Sequence, residues 1–476
     1  MLTDILQMNN ERGFMKMNRV SKRLLTSAII AGLTLPASVF ATNGYFLIGY
    51  GAKSRAMGGV GVAKGLDGIA AGFNPATMSD VADTLTETNN IRFDIGGDLF
   101  RPKAAIYHDQ NSLLGPAVSE EATSPSTFFS QNGTYMLPAM GWVYKINEDL
   151  SWGFAMTGSG AAAYYDQSLP TGEISNFFNF TGLGGDKLGV KLMNIQMLPS
   201  IAYKITPKQT VGATLVASFQ LFEANGLGAF EALGFGATAG SLTDMGTDTS
   251  WGGGVRLGWK GKFIEDKLHM GVNYSSRTYM DEFNKYKNLF AEQGDFDIPS
   301  NYAIGFAYEV NPEITAYLDV QRINFSEVAS VGNKGPQITG TFFECGDINC
   351  GALGKDQGLG FGWKDQTVIK LGMEYAYSSK ITVRAGFNHG DAQIPEDQVL
   401  FSLLAPATIE DHLTLGASYQ WDEDIEVSMS YVHAFENTIT GPTTFQPPGA
   451  DPANPVDNAS IAMEQNSIGV TLGIKF

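Results

Sequence analysis

The chain of 476 residues carries a net charge of −18 at pH 7, and 43% of its residues are hydrophobic while only 17% are charged. This acidic balance excludes a nucleic-acid-binding protein, because phosphate contacts require clustered Lys and Arg. The charged fraction is also below the quarter or so that is typical of soluble domains. Beyond the N-terminal region, no apolar run approaches the roughly 18 residues of a membrane-spanning helix, so a membrane-spanning form of this chain must be a β-barrel.

Residues 1–41 are interpreted as a short upstream stretch followed by a secretion signal. Basic residues between Arg19 and Arg23 precede an apolar core from Leu24 to Leu35, and Val39-Phe40-Ala41 has the small-residue pattern of a cleavage site. An uncleaved membrane anchor is the alternative, although the apolar core is short for a spanning helix. We therefore expect an exported protein.

The next stretch, Asn43 to Met78, is apolar and rich in glycine, but it has neither the period of a helix nor that of a strand. A compact irregular segment needs surrounding walls to satisfy its peptide groups. We predict that residues 42–85 form a hatch, or plug, inside a barrel formed by residues 86–476. Gly59 to Gly65 superficially resembles a dinucleotide-binding loop, but its spacing is wrong and no βαβ unit surrounds it.

Several motifs resemble those of the FadL-type family of outer-membrane transporters for long-chain fatty acids and other hydrophobic compounds. They comprise an aromatic mature N-terminus, an Arg-Ala-x-x-Gly pattern in a glycine-rich hatch, an Asn-Pro-Ala triplet and two later stretches. The residues that carry the resemblance are Tyr45, Phe46, Arg55, Ala56, Gly59, Asn74, Pro75, Ala76, Gly362–Asp365 and Pro395–His412. The likeness covers essentially the whole mature chain and implies a monomeric, plugged barrel in the bacterial outer membrane.

From about Thr86 onward, apolar residues alternate with polar or small ones, as in strands that have one apolar face. The connections alternate between very short turns and long stretches, which is typical of an antiparallel outer-membrane β-barrel and distinguishes it from a soluble sandwich. The predicted strands, about fourteen in number, cover 87–101, 133–146, 149–162, 189–205, 208–224, 246–263, 266–280, 298–310, 313–326, 361–377, 380–389, 408–421, 424–436 and 463–476. The fold class is therefore an all-β transmembrane barrel.

Aromatic residues lie near the ends of the predicted strands, as in the headgroup girdles of a barrel in lipid and lipopolysaccharide. They are Trp142, Tyr144, Trp152, Trp251, Trp259, Trp363, Tyr377, Tyr419, Trp421 and Tyr431. Ordinary packing is the alternative for any single one. Phe476 follows an alternating strand and resembles the signal that the barrel assembly machinery reads.

Glycines interrupt the third predicted strand at Gly158-Ser159-Gly160. Glycine within a strand weakens pairing and often marks a bulge or bend, and the ordinary end of the strand is the alternative. The family resemblance implies an inward kink here that opens the barrel wall, so that a hydrophobic ligand leaves sideways into the bilayer. Because an apolar chain gains about 0.8 kcal/mol for each buried CH₂ group, lipid is a favourable destination.

Two predicted external loops are unusually apolar, and exposed apolar patches often mark binding surfaces. Their apolar residues are Phe177, Phe178 and Phe180 in one loop and Leu227, Phe230, Leu233 and Phe235 in the other. The resemblance implies that these loops capture the ligand, whereas packing of loop against loop is the alternative. The second stretch also fits a short amphipathic helix.

Inside the barrel, Tyr45, Phe46 and Leu47 at the hatch N-terminus are expected to line or block the ligand pocket. A carboxylate ligand would favour a cation, but lumen-facing charge is normal in any barrel. The cations on the polar faces of predicted strands are Arg256, Lys370 and Arg384. We expect the hatch to move when ligand binds one conformation better than the other.

Cys345 and Cys350 lie in one polar segment, and a close pair in an exported protein predicts a small-loop disulfide, with free thiols as the alternative. Two thiols without a nearby histidine do not make a metal site. The five histidines are scattered, and no nucleophile elbow is present. We therefore expect neither an enzyme nor a cofactor.

Together these features predict a passive outer-membrane transporter for hydrophobic molecules, with long-chain fatty acids as the first choice of ligand. Aromatic hydrocarbons are the alternative ligands on the same fold. A structural or receptor barrel, such as an adhesin or phage receptor, is an alternative of another class. A general porin would conduct ions readily, and the predicted hatch argues against it.

Overall fold

The computed structural model describes residues 43–108, 126–129, 134–165, 188–232, 240–335, 352–442 and 458–476, so the predicted secretion signal lies outside the described residues. Fourteen long antiparallel strands form one closed barrel. They are β1 (Ile91–His108), β2 (Tyr135–Lys145), β3 (Leu150–Tyr165), β4 (Leu188–Thr206), β5 (Gln209–Asn225), β6 (Asp248–Phe263), β7 (Leu268–Ser275), β8 (Asn301–Glu309), β9 (Ile314–Ile323), β10 (Gln366–Ala376), β11 (Ile381–Gly390), β12 (Asp411–Gln420), β13 (Ile425–Pro442) and β14 (Asn458–Lys475).

Each strand pairs with its neighbours in the sequence, and the pairing of β1 with β14 closes the barrel. That closing ladder runs from Arg92 opposite Lys475 to His108 opposite Ala459. Two short strands lie outside this ring of fourteen: Ser126–Phe129 pairs with β1, and Tyr279–Met280 pairs with β6. A closed sheet has no free edge along its ring, which is what a lipid environment demands of a β-structure.

The connections between strands differ in length at the two ends of the barrel. β2 and β3, β4 and β5, β6 and β7, and the later pairs up to β12 and β13 are joined by turns of two to four residues. We call this the turn end. All connections at the opposite end, the loop end, are much longer. In outer-membrane barrels the short turns face the periplasm and the long loops face outward.

The barrel is apolar outside and polar inside, the reverse of a soluble protein. On β5, for example, Leu215 is 67% exposed while its neighbour Thr214 is 2% exposed. The same holds on β6, where Leu257 is 53% exposed and Arg256 only 5%. Because successive strand residues point to opposite faces, one side of each strand forms the lipid-facing wall and the other forms the lumen.

The predicted strands all overlap observed ones, and the fourteen-stranded barrel is confirmed. The largest differences are at the loop end, where β1 and β13 extend further than predicted and β14 begins earlier. The assignment of Trp363 to an aromatic girdle is wrong, because its side chain is 4% exposed and belongs to the cluster that fills the lumen.

The helical elements are short and lie within the lumen segment or the long connections. They are Gly51–Arg55, Ala70–Gly72, Pro75–Thr77, Met78–Asp83, Gly228–Ala232, Asn284–Tyr286, Ala291–Gly294, Phe325–Glu327, Ala329–Gly332, Glu396–Gln398 and Val399–Ser402. Within the described part of the chain, none of the helices has the length and apolar character needed to cross a membrane.

Residues 43–85 lie inside the barrel, and we call them the lumen segment. Helix Gly51–Arg55 contacts β1 and β12 to β14, whereas the turn Pro75–Thr77 contacts β4, β5 and β6. Helix Met78–Asp83 contacts β1 to β4. The segment therefore reaches the wall on several sides, and hydrophobic residues such as Ile69 and Met78 are fully buried against it.

The inverted barrel predicts a depth-dependent cost of charge on the outer face. Leu215→Arg places a cation well inside the apolar band, whereas Val211→Arg lies four residues closer to the turn end. We expect Leu215→Arg to lower the free energy of unfolding by about 2–4 kcal/mol and Val211→Arg by about 0–1 kcal/mol. Denaturant titration of the protein in lipid vesicles would measure both. Equal losses would contradict the assigned membrane position.

Candidate functional site

Side chains on the inner faces of the strands bind the peptide groups of the lumen segment. Asp319 of β9 accepts hydrogen bonds from the backbone N–H groups of Gly61 and Val62 at 2.8 and 3.1 Å. Lys370 of β10 donates to the carbonyl oxygen of Ile48 at 3.0 Å. These contacts satisfy backbone groups that have no partner within a helix or strand.

Arg256 on β6 makes a similar contact. It donates to the carbonyl oxygens of Ala71 and Gly72 at 3.3 and 2.6 Å. Arg384, the third predicted ligand-binding cation, instead donates to Glu374 at 2.7 Å and to Ser418 at 2.6 Å. Two of the three cations therefore hold the lumen segment, and the third is paired within the wall.

Buried ion pairs add to this attachment. The fully buried Arg55 lies 2.8 Å from Asp98 of β1 and donates to Ser467 of β14 at 2.7 Å. Lys53 lies 2.9 Å from Glu426 of β13. Removing one partner of a buried pair typically costs about 3–5 kcal/mol, because the other charge is left without compensation.

Two acidic residues of the segment have altered pKa values. Burial raises the pKa of Asp67 to about 6, and the neighbouring Asp94 carboxylate raises it in the same direction. Burial would also raise the pKa of Asp80, but its ion pair with Lys260 holds that pKa below the ordinary value. Asp80 is therefore ionised and anchors the segment to β6.

The remaining hatch motifs shape the backbone of the segment. Gly59 has φ +88°, and a Cβ atom there would lie 1.7 Å from the carbonyl oxygen of Ile48, so only glycine fits. Asn74 accepts from the N–H of Ala76 at 3.0 Å and donates to Val62 at 2.8 Å. Pro75 begins the following helical turn. These motif residues are structural contacts within the lumen.

A large apolar cavity lies between the lumen segment and the long connections of the loop end. Its lining comes from Tyr45, from strands β3 to β5 and from four loop-end connections. Representative lining residues are Leu192, Phe222, Phe290, Trp363 and Leu404. Ligand pockets are lined mainly by hydrophobic and aromatic side chains with few polar groups, so this cavity is a candidate ligand site.

Tyr45 lines this cavity and is 3% exposed. Its ring stacks on Phe46 with centroids 5.2 Å apart and meets the ring of Phe325 edge-on at 5.6 Å. Burial raises the pKa of the Tyr45 hydroxyl well above its usual value, and the nearby Asp297 carboxylate raises it further. Tyr45, predicted to line or block the ligand pocket, therefore lies at the edge of the apolar cavity.

A second, polar cavity of about 630 Å³ lies on the other side of the same residues. Phe46, Leu47, Arg256 and Lys370 line it, together with amide and hydroxyl side chains of β4, β7, β8 and β9. Phe46 and Leu47 are therefore not in the apolar cavity, although Tyr45 is. The residues from Tyr45 to Leu47 separate the two cavities.

The third barrel strand, β3, pairs with β2 over only part of its length. Pairing of β2 with β3 runs from Lys145 opposite Ser151 to Ala139 opposite Thr157 and ends there. Continuing the register would place Pro138, which has no N–H to donate, opposite Gly158. Pairing of β3 with β4 continues without a shift to Tyr165 opposite Leu188.

The burial pattern of β3 changes at the same point. Up to Met156, buried residues alternate with more exposed ones, but Thr157 to Gly160 are all buried. Asn194 of β4 donates to the hydroxyl of Ser159 at 3.1 Å. A strand that faced lipid on one side would keep the alternation, so both faces of β3 are covered from Thr157 to Gly160.

The backbone at position 160 accommodates only glycine, whereas position 158 has room for a larger residue. Gly160 has φ +151°, and a Cβ atom there would lie 2.2 Å from the carbonyl oxygen of Leu192. At Gly158, the nearest described atom to a Cβ would be the carbonyl oxygen of Pro138 at 3.7 Å, which is ordinary contact. The sequence analysis did not identify Pro138 as important, because its position opposite Gly158 is apparent only once the strand register is known.

A smaller cavity of about 280 Å³ adjoins this part of β3. It shares Ala161, Trp363, Leu404 and Ala405 with the large apolar cavity and adds Ala162 of β3 and Met463 of β14, among others. The two apolar cavities are therefore adjacent, and both contact β3 beyond the end of its pairing with β2.

The apolar loop residues are only partly described. Leu227 and Phe230 are 1% and 2% exposed and line the large cavity, and helix Gly228–Ala232 confirms the short helix predicted there. These two side chains face inward and do not form an exposed patch. Other residues singled out in the sequence lie outside the described side chains: Phe177, Phe178, Phe180, Leu233, Phe235, Cys345 and Cys350.

Comparison with known proteins gives consistent matches. The family model described as "Outer membrane protein transport protein (OMPP1/FadL/TodX)" matches residues 28–448. A long-chain fatty acid transport protein of Escherichia coli O6:H1 is 23% identical over 335 residues, which cover 63% of this chain and 70% of that protein. One of Salmonella typhi is 22% identical over 377 residues, or 71% of this chain and 80% of that protein.

Solved structures share the fold at low sequence identity. The toluene transporter TodX of P. putida has a TM-score of 0.61 and 18% identity, with 90% of this chain and 99% of that chain covered. A FadL homologue of Pseudomonas aeruginosa has a TM-score of 0.61 and 12% identity, with 93% of this chain and 100% of that chain covered. At these identities the likeness concerns the fold alone.

The contacts of Asp319 predict that its loss loosens the lumen segment. Asp319→Ala removes the acceptor for two backbone N–H groups, whereas Asp319→Asn keeps one oxygen and is the matched control. An unpaired buried donor costs about 1–3 kcal/mol, so we expect Asp319→Ala to raise ion conductance in planar bilayers and Asp319→Asn to raise it less. Equal conductance of Asp319→Ala and the unaltered protein would show that the segment does not depend on these bonds.

Proposed function

The chain belongs to the family of outer membrane transport proteins described as OMPP1/FadL/TodX, and on this premise we propose that it takes up hydrophobic molecules passively, by capture in the apolar cavity and sideways release between β2 and β3. It is a protein of the bacterial outer membrane and not an enzyme. The observation that carries the proposal is that two apolar cavities, which share four lining residues, contact β3 at Ala161 and Ala162, beyond the point where its pairing with β2 ends.

Capture follows from the lining of the large cavity. Leu227 and Phe230 come from one loop-end connection, Phe290 from another and Phe401 from a third, so the entrance is built from the outward-facing loops. Burial of apolar surface yields about 25 cal/mol per Å². Binding of an apolar molecule from outside therefore lowers the free energy and needs no energy from the cell.

Release follows from the interrupted wall. Ala161 and Ala162 leave room beside β3, and Pro138 cannot extend the β2–β3 ladder past Gly158. A ligand that moves through this point meets the hydrocarbon of the bilayer, where each CH₂ group is as well accommodated as in the cavity. The route avoids the polar cavity, which would be an unfavourable environment for an apolar molecule.

Most of the lumen segment stays fixed in this account. Arg55, Asp80 and the peptide groups near Gly61 are held by side chains of the wall. Movement is confined to the N-terminal residues around Tyr45, whose hydroxyl has no hydrogen-bond partner among the described residues. A ligand that binds more tightly when Tyr45 is displaced would shift the equilibrium towards the open conformation.

The ligand is a hydrophobic molecule, and two classes of ligand are candidates: long-chain fatty acids and aromatic hydrocarbons. The E. coli and Salmonella relatives are described as carriers of long-chain fatty acids, and the P. putida structure as a toluene transporter. The lining of the large cavity accommodates an acyl chain or an aromatic ring equally well, because it presents mostly apolar side chains.

The test is uptake of labelled oleate, 1-decanol and toluene by cells that lack the gene and carry one variant on a plasmid. We expect Gly158→Phe, whose ring would fill the space beside Pro138, to reduce uptake to the level of the deleted cells. Gly160→Ala is expected to reduce it too, since overpacking of this kind costs about 1–3 kcal/mol. Gly158→Ala is the matched control and should restore uptake.

Labelled glucose uptake and surface abundance of each variant serve as controls in the same cells. Loss of uptake with normal abundance in Gly158→Phe would support sideways release. If the deletion itself changed the uptake of none of the three hydrophobic compounds, transport would be the wrong function. If Gly158→Phe transported normally, the exit would have to lie elsewhere.

A further inference from the structure

We propose that the large apolar cavity selects uncharged hydrophobic molecules and excludes their carboxylate counterparts. This inference rests on the proposed uptake function and narrows its substrate class. It comes from what the cavity lacks among the described lining residues: a charged side chain, or an unpaired hydrogen-bond donor that is accessible to a carboxylate.

Only three described lining residues have polar side-chain atoms, and each is unsuited to a carboxylate. The hydroxyl of Ser330 donates to the carbonyl oxygen of Asp295 at 2.5 Å. The indole N–H of Trp363 donates to Ser402 at 3.3 Å. The Tyr45 hydroxyl has no hydrogen-bond partner among the described residues, but it has almost no accessible surface at which a carboxylate could bind. A carboxylate in this cavity would therefore exchange its hydration for apolar contacts.

The charged groups that act most strongly on Tyr45, at the edge of the cavity, are the carboxylates of Asp297, Glu327 and Asp295 and one cation, Arg277. Arg277 is already bound to Asp297 and, at 3.0 Å, to Asp295. Glu292 lies 3.9 Å from the same guanidinium group, and Glu327 acts electrostatically on Tyr45. One cation shared by several carboxylates leaves no excess positive charge to attract an anionic ligand.

The polar cavity does not supply the missing cation. Arg256 and Lys370 line it, but each donates to carbonyl oxygens of the lumen segment. Residues from Tyr45 to Leu47 stand between these cations and the apolar cavity. A carboxylate could reach them only by displacing the contacts that hold the segment in place.

Two pairs of ligands test the inference by equilibrium dialysis at pH 7.5 of the purified protein in nanodiscs, with protein-free nanodiscs of the same lipid giving the amount of each ligand that dissolves in lipid. The pairs are toluene with benzoate, and 1-decanol with decanoate. Burying an unpaired carboxylate costs at least several kcal/mol, so we expect the neutral member of each pair to bind at least about a hundredfold more tightly.

A variant that adds a cation provides the reciprocal test. Leu289 lines the cavity and is half-buried, so a lysine there can keep its ammonium group partly hydrated. We expect Leu289→Lys to raise the affinity for decanoate at least about tenfold, whereas Leu289→Gln, which is polar but uncharged, should not. The affinity for toluene shows whether the cavity of each variant is intact.

The outcomes separate this inference from the function on which it rests. Equal binding of the neutral and charged ligands, or tight binding of decanoate that is lost in Lys370→Met, would overturn the selectivity and leave the uptake function standing. Binding of none of the four ligands would contradict the ligand cavity itself, and the inference with it. Tighter binding of toluene than of benzoate, together with tighter binding of 1-decanol than of decanoate, would support the proposed selectivity.

Discussion

A polypeptide inside a bilayer must satisfy its backbone hydrogen bonds internally, and this constraint governs each part of the protein. The wall meets it by closing β1 against β14. The irregular lumen segment cannot pair with itself in this way, so Asp319, Lys370 and Arg256 bind its peptide groups from the wall. The ladder is interrupted at the position of Pro138, between β2 and β3, and the proposed exit lies there.

In the proposed mechanism, the same constraint divides the lumen segment into parts that are fixed and a part that moves. Ion pairs and peptide contacts hold the segment from Arg55 to Asp80 against the strands. Tyr45 is held mainly by aromatic packing, which is weaker and less directional than a buried ion pair. A passive transporter of apolar molecules needs this difference, because it must open a path for its ligand without becoming a general pore.

The sequence predicted the barrel well because alternation and turn length are local properties. It also singled out Arg55, Gly59 and Asn74, which contact the wall or shape the lumen segment, and the glycines of β3. It did not reveal Pro138, since the partner of Gly158 depends on a register that no local pattern specifies. Nor did it show that Trp363, Leu227 and Phe230 turn into the lumen: an apolar side chain in a long loop looks the same whether it is exposed or packed. Arg256 and Lys370 were recognised as lumen cations, but their binding to the segment required the fold.

The most direct test of sideways release is a reversible closure of the gap. Cysteines introduced by Pro138→Cys and Gly158→Cys, in a background with Cys345→Ser and Cys350→Ser, would stand on either side of the point where the ladder ends, since a Cβ atom at position 158 would lie 3.7 Å from the carbonyl oxygen of Pro138. Formation of the disulfide would be checked first by mass spectrometry, because a disulfide needs a specific separation of the two residues. Uptake of labelled toluene would be measured under oxidising conditions and again after reduction. We predict that oxidation abolishes uptake and that reduction restores it, while each single-cysteine protein is unaffected. Undiminished uptake with the disulfide demonstrably formed would contradict release between β2 and β3.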